Sequence, residues 1–186
     1  IAAGLTHKKA GLRNEEKFTG HGVSYCAVCD GAFFKGKSVA VLGGGNTAAE
    51  DALFLSDICK DVTIIHRRDG MRADASLQSK LKAKANVFFK FNCVITALNG
   101  EDKLSSLTVK DVNTEKESNA AVCALFVAIG QEPKNKIFAN VTELDENGFI
   151  KAGEDCRTKT DGIFAAGDCR TKTLRQLTTA AADGAA

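Results

Sequence analysis

The residues with the clearest chemical potential are two cysteines, Cys26 and Cys29, followed directly by Asp30. Thiols at this spacing can close a disulfide across a tight turn, and one thiolate can resolve a mixed disulfide that the other has formed. Asp30 is adjacent and suited to transfer a proton when a thiol is released. The alternatives are half of a zinc site or a structural pair. A zinc site needs two more ligands, and the chain has no second Cys-x-x-Cys.

A glycine-rich stretch follows an apolar run and fits the pattern Gly-x-Gly-x-x-Ala. It consists of Gly43, Gly44, Gly45, Asn46, Thr47 and Ala48. In such a loop Gly43 allows the tight turn, Gly45 lets the backbone approach a pyrophosphate, and Ala48 lets the helix pack on the strand. The helix that begins there directs N–H groups at the phosphates. The alternative is a simple glycine-rich turn, but the strand–turn–helix context favours a dinucleotide site.

Four basic residues come after the second strand that we predict in this region. They are His66, Arg67, Arg68 and Arg72. An enzyme that uses NAD has a carboxylate near this point, which holds the ribose 2′-hydroxyl. Guanidinium groups instead bind a 2′-phosphate through charge-assisted, often bidentate hydrogen bonds. The cluster therefore predicts NADPH rather than NADH, against the alternative of a solvated charged turn.

A further pattern lies near the end of the chain, where an apolar segment stops at Gly167 and Asp168. An aspartate in this position can accept hydrogen bonds from a cofactor hydroxyl, and the glycine permits close approach. The alternative is an ordinary turn at the end of a strand.

Strands and helices alternate around these motifs, which predicts a parallel sheet covered by helices. The predicted strands are 38–42, 62–65, 87–91, 94–98, 104–112 and 120–127, with a polar turn at 113–119, and the predicted helices are 47–58 and 75–83. Further along we expect a strand at 163–165 and a helix from about residue 174 onward. Residues 1–4 have the pattern of the end of a buried strand. Their apolar-Ala-x-Gly sequence recurs at 127–130 and indicates two crossings into a neighbouring domain.

Composition limits the possible functions. The 186 residues are 44% hydrophobic and 26% charged, with a net charge of +2, as in ordinary soluble proteins. We therefore expect neither nucleic acid nor a membrane as partner, no metal site, and a reducing cytoplasmic location. The N-terminal residues lack the features of a signal peptide. Five cysteines occur singly and are interpreted as small buried or surface thiols: Cys59, Cys93, Cys123, Cys156 and Cys169.

In this order the motifs resemble the low-molecular-weight thioredoxin reductases, over essentially the whole chain. The segments that carry the resemblance are 24–31, 39–50, 66–69, 126–130 and 162–168. The resemblance implies an α/β, Rossmann-like FAD/NAD(P)-binding fold in which an NADPH domain is inserted into an incomplete FAD domain. Residues 1–4 would end the first FAD-domain segment, 5–128 would form the NADPH domain with the cysteine pair, and 129–186 would form the second FAD-domain segment.

The resemblance also implies FAD and NADPH as cofactors, thioredoxin as the protein substrate, and a homodimer. Hydride would pass from NADPH to FAD and two electrons from FAD to the disulfide, and the dithiol would then reduce thioredoxin. Cys29 would lie nearest the flavin, Cys26 would attack thioredoxin, and Asp30 would be the acid–base residue. The further cofactor-binding residues would be Ile129, Gly130, Gly167, Asp168, Arg175 and Gln176. The family's first FAD-binding βαβ unit is missing from the sequence, so we expect a fragment that binds NADPH and holds FAD poorly.

Two other functions remain open at this stage. One is the reductase subunit of an alkyl hydroperoxide system, which carries a similar module behind thioredoxin-like domains. The other is a regulatory module that senses NADPH without turnover. A flavoprotein without dithiol chemistry is a third possibility, against which Cys26 and Cys29 argue. Activity toward thioredoxin or toward a peroxiredoxin separates the first alternative, and thiol titration with NADPH separates the second.

Overall fold

The computed structural model describes all 186 residues and divides the chain into two compact units. The larger unit is Lys9–Gly130, and the smaller unit combines Ile1–Lys8 with Gln131–Ala186. The strands are β1 (Thr6–His7), β2 (Val23–Ser24), β3 (Ser38–Leu42), β4 (Asp61–Ile65), β5 (Val87–Lys90), β6 (Cys93–Asn99), β7 (Ser106–Asp111), β8 (Glu117–Ala121), β9 (Ala124–Val127) and β10 (Gln131–Glu132). The helices are α1 (Glu15–Phe18), α2 (Ala27–Asp30), α3 (Asn46–Ser56), α4 (Ala75–Lys82) and α5 (Leu177–Asp183).

The larger unit is built on a parallel sheet of five strands in the order β2-β9-β3-β4-β5. Strand β3 lies at its centre, where Val39 and Val41 are fully buried. A strand covered on both faces reads as a continuous apolar run, which is why the sequence identified β3 and β4 directly. The predicted α/β fold with a parallel sheet is confirmed.

Each face of this sheet packs on a different layer, because side chains alternate along a strand. Val41 and Ile64 share one apolar cluster with Ala52 of α3, while Ala40 and Ile65 share another with the antiparallel sheet β6-β7-β8. Helix α3 presents small alanines to the sheet, which lets its backbone come close to β3. The helical layer on one face and the antiparallel sheet on the other fix the position of the parallel sheet, and the segments that follow its strands carry the candidate functional residues.

The structure corrects the predicted turn at 113–119. Glu117–Ala121 forms strand β8, which pairs antiparallel with β7, and the predicted strand at 120–127 belongs to two different sheets through β8 and β9. Strand β8 lies at the edge of its sheet, and its first three residues are exposed. Such a strand needs no apolar alternation, so its polar sequence looked like a loop.

The smaller unit contains little regular structure. Strands β1 and β10 form an antiparallel pair, and the apolar core consists of Ile150, Ala165 and Cys169. The predicted strand at 163–165 was wrong, since Phe164 forms only an isolated bridge with Arg157. The predicted strand end at 1–4 was wrong as well, although the carbonyl of Ile1 accepts a hydrogen bond from Ala166 N at 2.8 Å.

Helix α5 begins at Leu177 and not near residue 174, where the sequence predicted its start. The hydroxyl of Thr179 accepts a hydrogen bond from the backbone N–H of Gln176 at 3.1 Å and so caps the first turn. None of the helices combines the length and the apolarity that crossing a bilayer requires.

Candidate functional site

Three chemically important segments leave the same edge of the parallel sheet. Cys26 follows β2, Gly43 follows β3 and His66 follows β4, and all three strands run in the same direction. Beyond β3 the chain continues toward β4 on one side, while β9 lies on the other side. Ligands in open α/β sheets bind at such a reversal of strand order, at the carboxyl ends of the strands.

The predicted redox pair forms a disulfide, with Cys26 half-buried and Cys29 exposed. Helix α2 begins directly after Cys26, whose Sγ accepts a hydrogen bond from the backbone N–H of Cys29 at 3.2 Å. The next residue, Gly31, lies against α3, where a Cβ would come within 3.0 Å of side-chain atoms of Leu55 and Phe54. The absence of a side chain at Gly31 thus lets the disulfide-bearing turn pack closely on α3.

Asp30 is half-buried and is oriented by a residue that sequence reasoning missed. The hydroxyl of Ser24 donates a hydrogen bond to Asp30 Oδ2 at 2.6 Å and accepts one from the backbone N–H of Cys26 at 3.1 Å. Ser24 is itself buried, at 5% exposure. The hydroxyl thus links the carboxylate to the start of the disulfide turn. The six-residue separation gave no sequence signal, because the contact depends on how α2 turns the chain back.

A second buried carboxylate supports the segment that enters the disulfide turn. Glu15 is 3% exposed, and it accepts hydrogen bonds from Tyr25 Oη at 2.6 Å, Ala10 N at 2.8 Å and Leu12 N at 3.1 Å. Burial, together with the hydrogen bond to Glu15, raises the pKa of Tyr25 to about 12. The phenol therefore stays protonated and remains a donor at neutral pH.

The glycine loop contains two very different glycines. Gly43 has φ 151°, and a Cβ there would lie 2.3 Å from the carbonyl oxygen of Ala128 at the end of β9. Gly45 has φ −95°, and a Cβ there would have no atom within 4 Å. Gly43 is thus demanded by the fold of the chain itself. Gly45 leaves open space in front of the start of α3, as a site for a close-lying pyrophosphate requires.

His66 lies against the same loop. A Cβ on Gly44 would come within 2.5 Å of its imidazole ring, so ring and loop are in close contact. The ring is 7% exposed, and its Nε2 is buried without a hydrogen-bond partner. Burial lowers the pKa of His66, and the charges of Arg72, Arg68 and Arg67 lower it further. A neutral imidazole with one orphaned nitrogen is a group that a bound ligand can satisfy.

The predicted arginines lie on an exposed loop that is tied to the glycines. Arg72 donates its backbone N–H to the carbonyl of Gly44 at 2.7 Å, and the side chains of Arg67, Arg68 and Arg72 are exposed. Three cationic groups therefore face solvent beside an open glycine loop.

Two predicted cofactor residues at the start of α3 are both exposed but differ in their hydrogen bonds. The amide of Asn46 donates to Asp74 Oδ2 at 3.0 Å and accepts from Asp74 N at 2.9 Å, so it connects the start of α3 to the segment that follows Arg72. Thr47 is exposed in the first turn of α3. The last two predicted residues of this unit, Ile129 and Gly130, follow β9, with Ile129 38% exposed and Gly130 at φ 102°.

Three of the four remaining predicted residues, Gly167, Asp168 and Gln176, line a cavity of about 420 Å³ in the smaller unit, and the fourth, Arg175, does not. Gly167, at φ 77°, opens a short 3-10 turn, and Oδ1 of Asp168 is buried without a hydrogen-bond partner. Arg175 stacks its guanidinium 4.3 Å from the ring centre of Phe149, and its Nε is also unsatisfied. An orphaned carboxylate oxygen at an open glycine turn fits a hydroxyl-bearing cofactor.

No three His, Cys, Asp or Glu side chains lie close enough together to hold a metal ion. The groups that the structure brings together in the larger unit are the disulfide with Asp30 and, at the same sheet edge, the glycine loop with the basic cluster. The glycine turn with Asp168 belongs to the smaller unit.

Comparison with known proteins gives a consistent picture. The family described as pyridine nucleotide-disulphide oxidoreductase matches residues 1–184. Over 185 residues the chain is 44% identical to a thioredoxin reductase of Bacillus subtilis, and the aligned region covers 99% of this chain and 58% of that protein. A thioredoxin reductase of Streptomyces clavuligerus is 42% identical over 185 residues, with the same coverage of 99% and 58%.

Solved structures agree with these sequence matches. The crystal structure of Lactococcus lactis thioredoxin reductase in the FR conformation superposes with a TM-score of 0.86 at 40% identity, covering 100% of this chain and 61% of that one. That of T. acidophilum thioredoxin reductase gives a TM-score of 0.85 at 33% identity, covering 99% and 61%. The chain spans 58% of the length of the two curated relatives named above.

Proposed function

Because the chain belongs to the pyridine nucleotide-disulphide oxidoreductase family, we propose that it is the NADPH-binding and dithiol-bearing part of a thioredoxin reductase. The observation that carries the proposal is the disulfide Cys26–Cys29 on the same sheet edge as a dinucleotide-type glycine loop. The names of the relatives support thioredoxin as the protein disulfide that is reduced.

The nucleotide site of this proposal uses the glycine loop and the basic cluster. Gly45 leaves room for the pyrophosphate, and the N-terminus of α3 supplies N–H donors to it. Arg67, Arg68 and Arg72 bind the 2′-phosphate, and the neutral ring of His66 offers its orphaned Nε2 to the nucleotide. Arginines stand where an NAD enzyme has the carboxylate that holds the ribose 2′-hydroxyl, and this favours NADPH over NADH, because guanidinium groups bind a 2′-phosphate.

The dithiol reaction transfers two electrons. In the reduced enzyme the thiolate of Cys26 attacks the disulfide of thioredoxin and forms a mixed disulfide with it. The thiolate of Cys29 then attacks the sulfur of Cys26, which re-forms the Cys26–Cys29 bond and releases reduced thioredoxin. Asp30, held by Ser24, transfers the proton that the leaving thiolate needs. NADPH supplies the two electrons for the next cycle.

FAD is the second cofactor of this proposal, and when bound it relays two electrons between nicotinamide and disulfide. The orphaned oxygen of Asp168, beside a cavity that Gly167 also lines, fits a cofactor hydroxyl, with Arg175 and Gln176 nearby in the chain. Residues 1–4 and 129–186 would belong to the FAD domain, and residues 5–128 to the inserted NADPH domain. A homodimer, which the resemblance implies, and a cytoplasmic location, which the cysteine usage predicts, complete the proposal.

The test uses the intact, FAD-loaded protein with NADPH and thioredoxin. Cys26→Ser and Cys29→Ser should each lower thioredoxin reduction by about a hundredfold or more, because neither single thiol can complete the exchange. Cys123→Ser is the matched control, since this thiol is exposed in the same unit but outside the pair. Reduction of a peroxiredoxin but not of thioredoxin would identify the hydroperoxide system, and NADPH binding that leaves the disulfide intact would identify a sensor.

Nucleotide choice is tested separately. Changing both Arg67 and Arg68 to Ala should raise the KM for NADPH by about tenfold or more and leave the KM for NADH nearly unchanged, because only NADPH carries the 2′-phosphate. Lys80→Ala, an exposed cation on α4, controls for a general loss of positive charge. Equal effects on both nucleotides would reject the assignment.

A further inference from the structure

A buried ion cluster lies directly behind the glycine turn of the smaller unit. The guanidinium of Arg170 binds the carboxylate of Asp183 with two hydrogen bonds, Nε to Oδ2 at 2.8 Å and Nη2 to Oδ1 at 2.7 Å. Lys172 Nζ donates to the same Oδ2 at 2.8 Å. The three side chains are only 2%, 7% and 6% exposed for Arg170, Asp183 and Lys172.

The carboxylate of Asp183 also reaches the turn itself. Its Oδ2 accepts the backbone N–H of Gly167 at 2.8 Å, and Gly167 is followed by Asp168, whose Oδ1 is buried without a partner. Asp183 thus receives four donors, which is about the full capacity of a carboxylate. Its position fixes the backbone immediately before the orphaned oxygen.

Only one of the two carboxylates in the cluster is buried. Two buried cations face one buried anion, and the further carboxylate, Glu154, lies 3.6 Å from Arg170 on a side chain that is 95% exposed. Buried ion pairs contribute little net stability compared with apolar residues of the same volume, but they fix geometry. The hydrogen bonds from Arg170 and Lys172 hold the pKa of Asp183 far below its usual range, so the anchor stays charged at any physiological pH.

We infer that Asp183 is a positioning residue for the flavin cofactor: its carboxylate holds Gly167 so that Asp168 presents its free oxygen to a cofactor hydroxyl, while Arg170 and Lys172 hold Asp183 in place. This inference rests on the proposed function, in which Asp168 binds FAD. It assigns a role to three buried charged residues that neither the nucleotide site nor the dithiol uses.

The experiment compares FAD binding to the intact protein and to Asp183→Asn, using flavin fluorescence to follow FAD release and thermal unfolding with and without FAD. Asn keeps the size of the side chain but loses the charge that holds two cations. We expect FAD to dissociate about tenfold faster, and the rise in Tm that FAD produces to shrink. Glu143→Gln is the matched control, since it breaks an exposed ion pair with Lys151 in the same unit; it should change neither quantity.

A purely structural role makes a different prediction. Asp183→Asn would then lower the Tm of the apo and FAD-bound protein equally and leave FAD release unchanged, and this result would overturn the inference. If Asp183→Asn fails to fold, Lys172→Gln takes its place, because it leaves the bonds of Asp183 to Arg170 and Gly167 intact. For that variant we expect FAD release to be about threefold faster.

A double-substitution cycle separates this inference from the proposed function. If Asp183 acts through Asp168, Asp183→Asn should have almost no further effect on FAD release in an Asp168→Asn background. Additive effects of the two substitutions on the rate of FAD release would contradict the positioning role of Asp183. If Asp168→Asn alone left FAD binding unchanged, the proposed cofactor site itself would be wrong. If Asp168→Asn weakened FAD binding while Asp183→Asn did not, the cofactor site would stand and only the positioning role of Asp183 would be wrong.

Discussion

The glycine loop at 43–45 and the glycine turn at 167–168 differ in what holds them. The first is held by backbone and by steric contact: Gly43 lies against the carbonyl of Ala128, and Arg72 N bonds to Gly44 O. The turn is held by side-chain charge, through Asp183. The glycine loop follows a strand of a continuous parallel sheet, and the neighbouring strands contact it on both sides. The glycine turn follows a segment that forms only isolated bridges, so side-chain contacts must fix its backbone.

The two arrangements share one feature. Each leaves a single buried polar atom without a partner, Nε2 of His66 beside the loop and Oδ1 of Asp168 in the turn. Buried polar atoms are almost always paired, and in the function proposed above a ligand supplies the missing partner at each of the two glycine turns. The loop should therefore be sensitive to added volume, and the turn to lost charge.

The largest effect is expected from adding a methyl group to the loop. Gly43→Ala combines a φ of 151° with a Cβ placed 2.3 Å from Ala128 O, and it should lower the free energy of unfolding by about 3 kcal/mol or more. Gly45→Ala meets no atom within 4 Å and should change stability by less than about 0.5 kcal/mol, yet raise the Kd for NADPH about tenfold. Urea unfolding and NADPH titration measure both.

Two results for this pair of variants would contradict the roles of Gly43 and Gly45. Similar unfolding free energies for Gly43→Ala and Gly45→Ala would show that the loop is not held by steric contact. A Gly45→Ala protein that binds NADPH normally would show that the open space in front of α3 is not the pyrophosphate site.

The difference between loop and turn also explains what the sequence could predict. Strands β3 and β4 and the glycine loop were predictable because a fully buried strand, a tight turn and a helix start leave their signal in adjacent residues. The resemblance to thioredoxin reductases, drawn from such local motifs, is confirmed by the family match over residues 1–184.

What the sequence could not predict depends on contacts between distant residues or on exposure. Asp183 meets Gly167 across 16 residues, and nothing near either residue indicates the contact. Strand β8 is polar at its exposed edge although all five of its residues pair with β7, and the segment at 163–165 is apolar although it forms only an isolated bridge. The polarity of a short segment therefore does not by itself predict whether it pairs as a strand.

A smaller effect is expected at Asp30, which neither steric contact nor a charge cluster holds. A single hydroxyl, that of Ser24, orients its carboxylate at 2.6 Å. Ser24→Ala should lower the rate of thioredoxin reduction by about tenfold with little change in the KM for NADPH, because it removes orientation and not binding. Ser79→Ala, whose hydroxyl bonds to a carbonyl of its own helix, is the control. A change in the KM for NADPH as large as that in kcat would contradict this role.

The smallest effect is expected from the pH dependence of one carboxylate in each unit. In the smaller unit the pKa of Asp183 lies below its usual range because cations bind it, whereas in the larger unit burial raises the pKa of Asp51 on α3 to about 6, and the charge of Glu50 adds to this. The stability that Asp51 contributes is therefore present below its unfolded pKa of about 4 and lost as pH rises through about 6. Asp183 has the opposite sign, because its contribution is present above about 4 and lost only in strong acid.

Asp51→Asn removes this titration, since an amide stays neutral at every pH. We expect the variant to exceed the original protein in unfolding free energy by about 1 kcal/mol at pH 8 and to match it near pH 4, after allowance for the partial exposure of the side chain. Urea unfolding at several pH values measures the difference, and Asp102→Asn, which changes an exposed carboxylate of the same unit, is the control. A gain that is constant across this range would mean that Asp51 is ionised equally in the folded and unfolded chain. Folding would then not shift the pKa of Asp51, and the proposed contrast with Asp183 would be wrong.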